Sequence, residues 1–248
     1  MSLLPEVKAL LFDVFGTVVD SRSSVIRELE LLGKLHDFGE FLRAQKSDGN
    51  WSEFAATWRS GYLETTSVIS AINLPEITPN LGLYVISVAT AYPRTTRTQI
   101  LESISETPQW KAFGEKLTQP ARDDLNLVWH RLHGEWSAIG RLAGFHPRSI
   151  RLKKEFVITT LSNANVKLVV DMAKHADLPW DTVFCSELFG SFKPDPKVYL
   201  TGIRHLSLER HNCVMVAAHI YDLQAAAKVG MRTVYILQAD EEFPGRTR

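Results

Sequence analysis

The stretch VKALLFDV, residues 7–14, decides the fold, because it is an apolar run interrupted only by Lys8 and Asp13. Gly16 and Thr17 follow the run and end it. Short apolar runs of this kind are typical of strands that are buried on both faces of a parallel sheet. We therefore predict a buried parallel strand here, with Asp13 at its carboxyl end.

The carboxyl-terminal part of the chain alternates between strand-like and helical patterns. The predicted strands are residues 156–161, 181–186, 213–218 and 233–237. The predicted helices between them are residues 166–176, 196–206 and 223–229. This alternation favours an α/β fold, with a parallel sheet that carries helices on both faces.

The part between the first strand and this alternating region is helical in pattern. Apolar residues recur at helical spacing in two groups: Val25, Ile26, Leu29 and Leu32, then Trp51, Phe54, Ala55 and Trp58. Further helices are predicted near residues 97–105 and 123–129. The apolar pattern of residues 81–91 fits either a helix or a strand, and we predict a helix there. We therefore expect a helical cap domain at residues 21–130, inserted into a core domain formed by residues 1–20 and 131–248.

The composition excludes several classes of protein. Among the 248 residues, Lys plus Arg number 28 and Asp plus Glu number 28, so no excess charge attracts nucleic acid or an anionic membrane. No window reaches the roughly 18 apolar residues of a membrane span, and the first eight residues lack the pattern of a signal peptide. Cys185 and Cys213 are expected as buried free thiols. A cytoplasmic location is the expectation that follows.

Polar residues stand where four of the predicted strands end. Asp13 ends the first, Ser162 and Asn163 end the second, Lys193 follows the third, and Asp222 follows the fourth. Any one of them could be a loop residue that satisfies nearby backbone donors. Because parallel strands collect their carboxyl ends at one edge, the four together indicate a functional site. A lysine ammonium there would keep a nucleophilic carboxylate ionised.

Four segments resemble the ordered motifs of the haloacid dehalogenase superfamily: FDVFGTVVD (residues 12–20), TTLSNAN (159–165), FKPDPKVY (192–199) and AAHIYD (217–222). The set is most similar to the (S)-2-haloacid dehalogenase, or type II, branch. This resemblance implies a Rossmann-like core with an inserted helical cap, and a homodimer formed through the cap. It also implies a small carboxylic acid as substrate.

The resemblance implies a role for each matching residue that faces the substrate. Asp13 is the nucleophile, and Thr17 hydrogen-bonds to it or to the substrate. Ser162 binds the substrate carboxylate. Arg59, which follows a tryptophan in TWRSGYLE, holds the leaving halide or the substrate, and Asn163 shares the halide contact. The alternative interpretation of Arg59, from the residues alone, is a solvent-exposed arginine on a helix face.

The remaining roles concern the nucleophile and the hydrolytic water. Lys193 and Tyr199 resemble the pair that steadies the nucleophile, and Asp222 orients Lys193 or the water. The family has serines and an asparagine where this chain has AAH at residues 217–219, so its water-positioning network differs. His219 is either a base near neutral pH, since imidazole has a reference pKa of about 6.5, or a loop histidine bonded to a backbone carbonyl.

Two positions separate dehalogenases from phosphatases within this superfamily. Phosphatase-like members have acidic residues where this chain has Phe15 and Ala218. A phenyl ring cannot protonate a departing alkoxide, whereas halide leaves without a proton and suits an apolar cradle. We therefore expect neither metal nor cofactor, and a hydrolase that converts short 2-haloalkanoic acids to 2-hydroxy acids through a covalent aspartyl ester. The alternatives are a phosphatase of small metabolites and a catalytically idle binding protein.

Overall fold

The structure is a computed structural model of the chain, and it describes residues 6–35, 51–59, 101–102, 105–134 and 151–237. The chain forms two compact units: Met1–Asp20 with His133–Arg248, and Ser21–Leu132. The expected domain boundaries were residues 20 and 130. The roles of core and cap expected for these two parts stay a prediction. The helix expected at residues 81–91 lies outside the described residues.

The described elements alternate as follows. The strands are β1 (Ala9–Phe12), β2 (Val19–Asp20), β3 (His133–Gly134), β4 (Val157–Ser162), β5 (Thr182–Cys185), β6 (Cys213–Ala217) and β7 (Arg232–Tyr235). The helices are α1 (Ser21–Leu35), α2 (51–59), α3 (Lys111–Lys116), α4 (Gln119–Asn126), α5 (Arg151–Glu155), α6 (Val166–His175), α7 (Ser186–Phe189), α8 (Pro196–His205) and α9 (Ile220–Lys228). Short 3-10 helices lie at Leu127–His130 and Arg210–Asn212.

The first unit is built on a parallel sheet with the strand order β5-β4-β1-β6-β7. Phe12 at the end of β1 is paired with Thr160 on one side and Val216 on the other. Every residue of β1 and β6 is buried, as their apolar sequences predict for central parallel strands. All the strand pairs of this sheet are parallel, and helices separate its strands along the chain, which gives the α/β, Rossmann-like arrangement that the sequence predicts.

One face of this sheet packs closely against α8. The core on that face includes Leu11, Leu161, Met215 and the fully buried Tyr199. A Cβ placed on Gly202 would lie 3.4 Å from side-chain atoms of Leu11 and Leu161, so this part of α8 faces both strands directly. The close approach fixes the position of α8 and of the loop before it.

The second unit has an aromatic core. The rings of Trp51, Phe54, Trp110 and Phe113 pack with centroid distances of 5.0–6.0 Å, and Trp58 contacts both Phe54 and Trp129. Packing of this kind was predicted from the helical spacing of the apolar residues.

No helix in the described parts of the chain is long and apolar enough to cross a membrane.

One helix of this unit begins earlier than predicted. We expected helix near residues 123–129, but α4 begins at Gln119 and gives way to a 3-10 helix at Leu127. The Thr118 side chain accepts a hydrogen bond from the Ala121 N–H, and a proline follows in the first turn. Both features favour helix initiation at this point.

Candidate active site

Asp13 lies directly after β1, and the backbone turns sharply beyond it. Its N–H donates to the Val216 carbonyl at 2.9 Å, which extends the sheet by one residue. Gly16 adopts a positive φ of 71°, which allows the chain to fold back. The turn brings the Thr17 hydroxyl to Oδ2 of Asp13, to which it donates at 2.9 Å. Asp13 is 6% exposed, so its carboxylate is buried but reachable.

Lys193 supplies the positive charge beside this carboxylate. Its Nζ donates to Oδ1 of Asp13 at 2.8 Å and to Oδ2 of Asp222. The lysine is 3% exposed, so both ion pairs are shielded from water. The Lys193–Pro194 peptide bond is cis.

The Asn163 side chain holds the main chain of Lys193 in place. Its Oδ1 accepts from the Lys193 N–H at 2.6 Å, and its Nδ2 donates to the Lys193 carbonyl at 3.0 Å. Oδ1 also accepts from the Ser186 hydroxyl at 2.8 Å. The halide contact expected of Asn163 stays a prediction, since Nδ2 has a second proton besides the one donated to the Lys193 carbonyl.

Asp222 lies in the first turn of α9 and is fully buried. Its Oδ1 accepts a hydrogen bond from the Tyr199 hydroxyl at 2.6 Å, while its Oδ2 accepts from Lys193. Asp222 therefore orients Lys193, which was one of its two expected roles. Tyr199 was expected to steady the nucleophile together with Lys193, and its hydroxyl is buried against Asp222, so it contacts Asp13 through Asp222 and Lys193 and not directly.

His219 lies against the predicted nucleophile. Its Nδ1 is 2.9 Å from Oδ2 of Asp13. The next residue back, Ala218, donates its N–H to the Thr17 hydroxyl oxygen at 2.9 Å. The start of α9 therefore brings one side chain and one backbone donor to the turn after β1.

The pKa values of the site follow from burial and from these ion pairs. Burial raises the pKa of Asp13, but the charge of Lys193 and the hydrogen bond with His219 outweigh it and hold that pKa far below its usual range. Burial lowers the pKa of Lys193, but the two carboxylates raise it above its ordinary value. Burial raises the pKa of Asp222, and Asp13 adds to the rise. Asp13 is thus a carboxylate and Lys193 an ammonium at neutral pH.

Ser162 stands at the same edge of the sheet as Asp13. The register pairs Thr160 with Phe12, so Ser162 extends past the end of β1. Its hydroxyl is buried and has no hydrogen-bond partner among the described residues. A buried hydroxyl without a partner costs about 1–3 kcal/mol, so a ligand group that bonded to it would recover that energy.

The binding roles expected of Phe15 and Arg59 stay predictions. Phe15 is half-buried in the turn after Asp13 and forms an isolated bridge with Val19. Arg59 is the last residue of α2, half-buried, and belongs to the second unit. Their expected contacts with the halide belong to the proposed function.

Sequence reasoning missed Ser186 and the Ala218 backbone. Ser186 follows β5 and positions Asn163, so the rule that polar residues at strand ends mark the site would have found it. The Ala218 N–H carries no sequence signal, because every residue except proline has this donor.

The residues around Asp13 do not fit a magnesium site. Magnesium prefers oxygen ligands, yet the Lys193 ammonium lies against one carboxylate oxygen and the His219 ring against the other. Phe15 and Ala218 stand where phosphatase-like proteins have acidic residues. Within the described residues, no group of three or more His, Cys, Asp or Glu could hold a metal.

Neither cysteine side chain takes part in the hydrogen bonds described for the site. Cys185 and Cys213 are free and buried, as expected from their apolar surroundings. Burial raises the pKa of each thiol to about 11. Neither is therefore a thiolate nucleophile at neutral pH.

Comparisons with known proteins find haloacid dehalogenases and related hydrolases. The profile of haloacid dehalogenase-like hydrolases matches residues 7–230. The (S)-2-haloacid dehalogenase 4A of Burkholderia cepacia is 21% identical over 244 residues, which are 94% of this chain and 84% of that protein. The crystal structure of the L-2-haloacid dehalogenase PA0810 has a TM-score of 0.69 and 33% identity, covering 98% of this chain and 89% of that one. The defluorinating L-2-haloacid dehalogenase Rha0230 has a TM-score of 0.67 and 29% identity, covering 98% and 86%.

Proposed function

Because the chain belongs to the family of haloacid dehalogenase-like hydrolases, we propose that it is a hydrolytic dehalogenase of short 2-haloalkanoic acids. The observation that carries the proposal is the Asp13 carboxylate, which is paired with Lys193 and has Phe15 two residues on, where a phosphatase has its acid. The similarity to PA0810 and Rha0230, both described as L-2-haloacid dehalogenases, supports it.

In the first step, Asp13 attacks C2 of the substrate. A carboxylate oxygen forms the new C–O bond as the carbon–halogen bond breaks, and the halide leaves with the bonding pair. Lys193 keeps the carboxylate ionised and in place. Fixing the reacting carbon against it contributes on the order of 7–11 kcal/mol through orientation.

The substrate carboxylate is the group that we assign to Ser162. The Ser162 hydroxyl is buried at the edge of the sheet that carries Asp13, and a charge-assisted hydrogen bond would satisfy it. Phe15 gives the departing halide an apolar neighbour. Arg59 is the residue that we propose as its counter-charge.

In the second step, water adds to Cγ of Asp13 and the ester opens. The Cγ–O bond breaks, and the 2-hydroxy acid leaves with an oxygen that came from Asp13. Lys193 protonates that oxygen, and the two protons brought by the water restore Lys193 and enter the solvent. Because only the first step occurs at C2, the product has the inverted configuration.

Halide release from (S)-2-chloropropionate tests the proposal. We expect turnover that is unchanged by a chelator, and a loss of at least about 10⁴-fold in Asp13→Asn, since this variant lacks the nucleophile. The matched control is Asp177→Asn, an exposed aspartate of the same unit, which should keep full activity. Fluoroacetate belongs in the substrate panel, because Rha0230 is described as defluorinating.

Two results would contradict the proposal. Magnesium-dependent release of phosphate without halide release would make the protein a phosphatase. A folded protein that never forms an adduct at Asp13 would be a binding protein. Mass spectrometry after a single turnover in ¹⁸O-water separates these cases, because an ester route places solvent oxygen in Asp13 and not in the product.

A further inference from the structure

The two oxygens of the Asp13 carboxylate have unequal surroundings. Oδ2 accepts from the Thr17 hydroxyl at 2.9 Å and lies 2.9 Å from Nδ1 of His219. At Oδ1, the contact in the described parts of the chain is Lys193 Nζ at 2.8 Å. The carboxylate therefore has one crowded oxygen and one with room for a further partner.

The Thr17 hydroxyl is a donor to Asp13. Its oxygen accepts a hydrogen bond from the Ala218 N–H at 2.9 Å, so its proton is the part left for Oδ2. A hydroxyl has a single proton to give. The Ala218 backbone thus fixes which way the Thr17 hydroxyl points.

His219 is also a donor to Asp13. An ionised carboxylate has only acceptor sites, so the contact of 2.9 Å requires a proton on Nδ1. This holds for the imidazolium and for the neutral ring, whose lone pair is then on Nε2. Because Nε2 is on the side of the ring away from the Nδ1 contact, the imidazole meets Asp13 as a hydrogen-bond donor and not as a base.

We propose that His219 and Thr17 form the oxyanion site for hydrolysis of the aspartyl ester, and that Oδ1 is the oxygen that attacks the substrate. A carboxylate oxygen has two lone pairs in its plane. At Oδ2 both are engaged, whereas Oδ1 keeps one for the reacting carbon. The inference rests on the proposed function and assigns the hydrolytic half of the reaction to a named pair of donors.

The bonds, electron pairs and protons of this step balance. In the ester, Oδ1 is bonded to the substrate carbon and Oδ2 is the carbonyl oxygen. Water adds to Cγ, and the π pair moves onto Oδ2, where the Thr17 and His219 protons already point. When the carbonyl forms again, the Cγ–Oδ1 bond breaks, Oδ1 takes a proton from Lys193, and the protons of the water restore Lys193 and enter the solvent.

The two half-reactions depend differently on His219. Negative charge grows on Oδ2 during hydrolysis, and removing one preorganised oxyanion donor typically costs 10²–10³-fold in rate. In the alkylation step, charge leaves the carboxylate for the halide, so a donor at Oδ2 gives no comparable help. Loss of the donor should therefore slow the second step and leave the first within about tenfold.

Three variants test the assignment: His219→Ala, His219→Asn and, as a control, His211→Asn. Asparagine places an amide N–H at the same bond count from Cα as Nδ1, but it has no basic nitrogen. His211 is an exposed histidine of the same unit. His219 makes no side-chain cap to α9, so its removal leaves the helix start intact, which thermal unfolding of each variant will check.

The readout is the mass of the intact protein during turnover of (S)-2-chloropropionate, with the burst of halide in the first turnover as the rate of alkylation. We expect His219→Ala to accumulate the ester, with hydrolysis slowed about 10²–10³-fold. His219→Asn should hydrolyse within about tenfold of the parent protein, and His211→Asn should match it.

Other patterns overturn the inference. If His219→Asn accumulates the ester as strongly as His219→Ala, the imidazole is a base. If His219→Ala accumulates no ester, His219 has no special part in hydrolysis. Failure of the proposed function gives a different result, since the parent protein itself would then release no halide and form no adduct.

Discussion

At the scale of single residues, the site consists of a buried lysine between two buried carboxylates. Lys193 is paired with Asp13 and Asp222, and Tyr199 donates to the second of these. Removing one partner of a buried ion pair typically costs 3–5 kcal/mol, because the other charge is left uncompensated. The arrangement therefore makes Lys193 and Asp222 important for folding as well as for the proposed reaction.

Ser162→Ala separates a binding role from a structural one. The hydroxyl has no partner among the described residues, so its removal should not lower the free energy of unfolding and should raise it by up to about 1–3 kcal/mol, the cost of a buried unpaired hydroxyl. If the hydroxyl binds the substrate carboxylate, KM should rise by about tenfold or more, which corresponds to a charge-assisted hydrogen bond of roughly 1.5–3 kcal/mol. Denaturant titration and steady-state kinetics measure the two effects.

The control for this variant is Thr160→Val. The Thr160 hydroxyl donates to the Phe184 carbonyl at 2.8 Å, so its loss should destabilise the protein without changing KM. A Ser162→Ala protein that is destabilised with an unchanged KM would show that the hydroxyl serves the fold and not the substrate.

Residue identities could be predicted at this scale, but their pairings could not. Asp13, Lys193 and Asp222 were found because each follows an apolar strand, and the structure brings them into contact. The hydrogen bonds of Asn163 with Lys193, and of Tyr199 with Asp222, join residues 30 and 23 positions apart. Such pairings depend on how the strands and helices pack, which strand patterns alone do not define.

At the scale of elements, the end of β4 links the site to α6. Ser162 and Asn163 end the strand, and Asn165 caps the helix by accepting a hydrogen bond from the Leu168 N–H at 2.8 Å. The capped helix packs Leu168 and Met172 into the interior. The two predicted site positions, Ser162 and Asn163, are therefore fixed between a strand and a capped helix.

Asn165→Ala should weaken this link. Loss of an N-cap side chain typically costs about 1 kcal/mol, so the free energy of unfolding should fall by that amount in denaturant titration. Asn165→Asp keeps the acceptor and serves as the control, with stability near that of the parent. An Asn165→Ala protein as stable as Asn165→Asp would show that this cap contributes nothing.

The start of α9 shows why a helix boundary predicted from the sequence can differ from the boundary in the structure. The helix predicted at residues 223–229 begins at Ile220, so Asp222 lies in its first turn. The apolar pattern marks only the part of a helix that faces the core, since the first turn exposes Ile220 and Tyr221. The polar start of α9, which carries His219 and Asp222, was for this reason assigned to a loop.

At the scale of the whole molecule, the site makes folding stability depend on pH. The pKa of Asp13 is lower in the folded protein than in the unfolded chain, where the ordinary value is 3.8. The unfolded chain therefore takes up a proton first as the pH falls. The stability that Asp13 contributes is complete well above pH 4 and is lost as the pH drops through and below that value.

The difference in stability between the parent protein and Asp13→Asn should accordingly shrink between about pH 6 and pH 3. Asp222 has a raised pKa and acts in the opposite direction, but it is present in both proteins. Denaturant titrations at both pH values, with Asp177→Asn as the control, measure the effect. A difference that stays constant with pH would contradict the proposed ion pairing of Asp13.

The contact between Lys193 and Asp13 joins positions 180 residues apart in the chain. No short fragment that contains Asp13 can supply this partner, and neither can a chain whose sheet is incompletely assembled. The reactivity that we propose for Asp13 is thus a property that the protein acquires only on completing its tertiary structure. An alkylating substrate would mark native molecules alone, and newly made or misfolded copies would be spared modification.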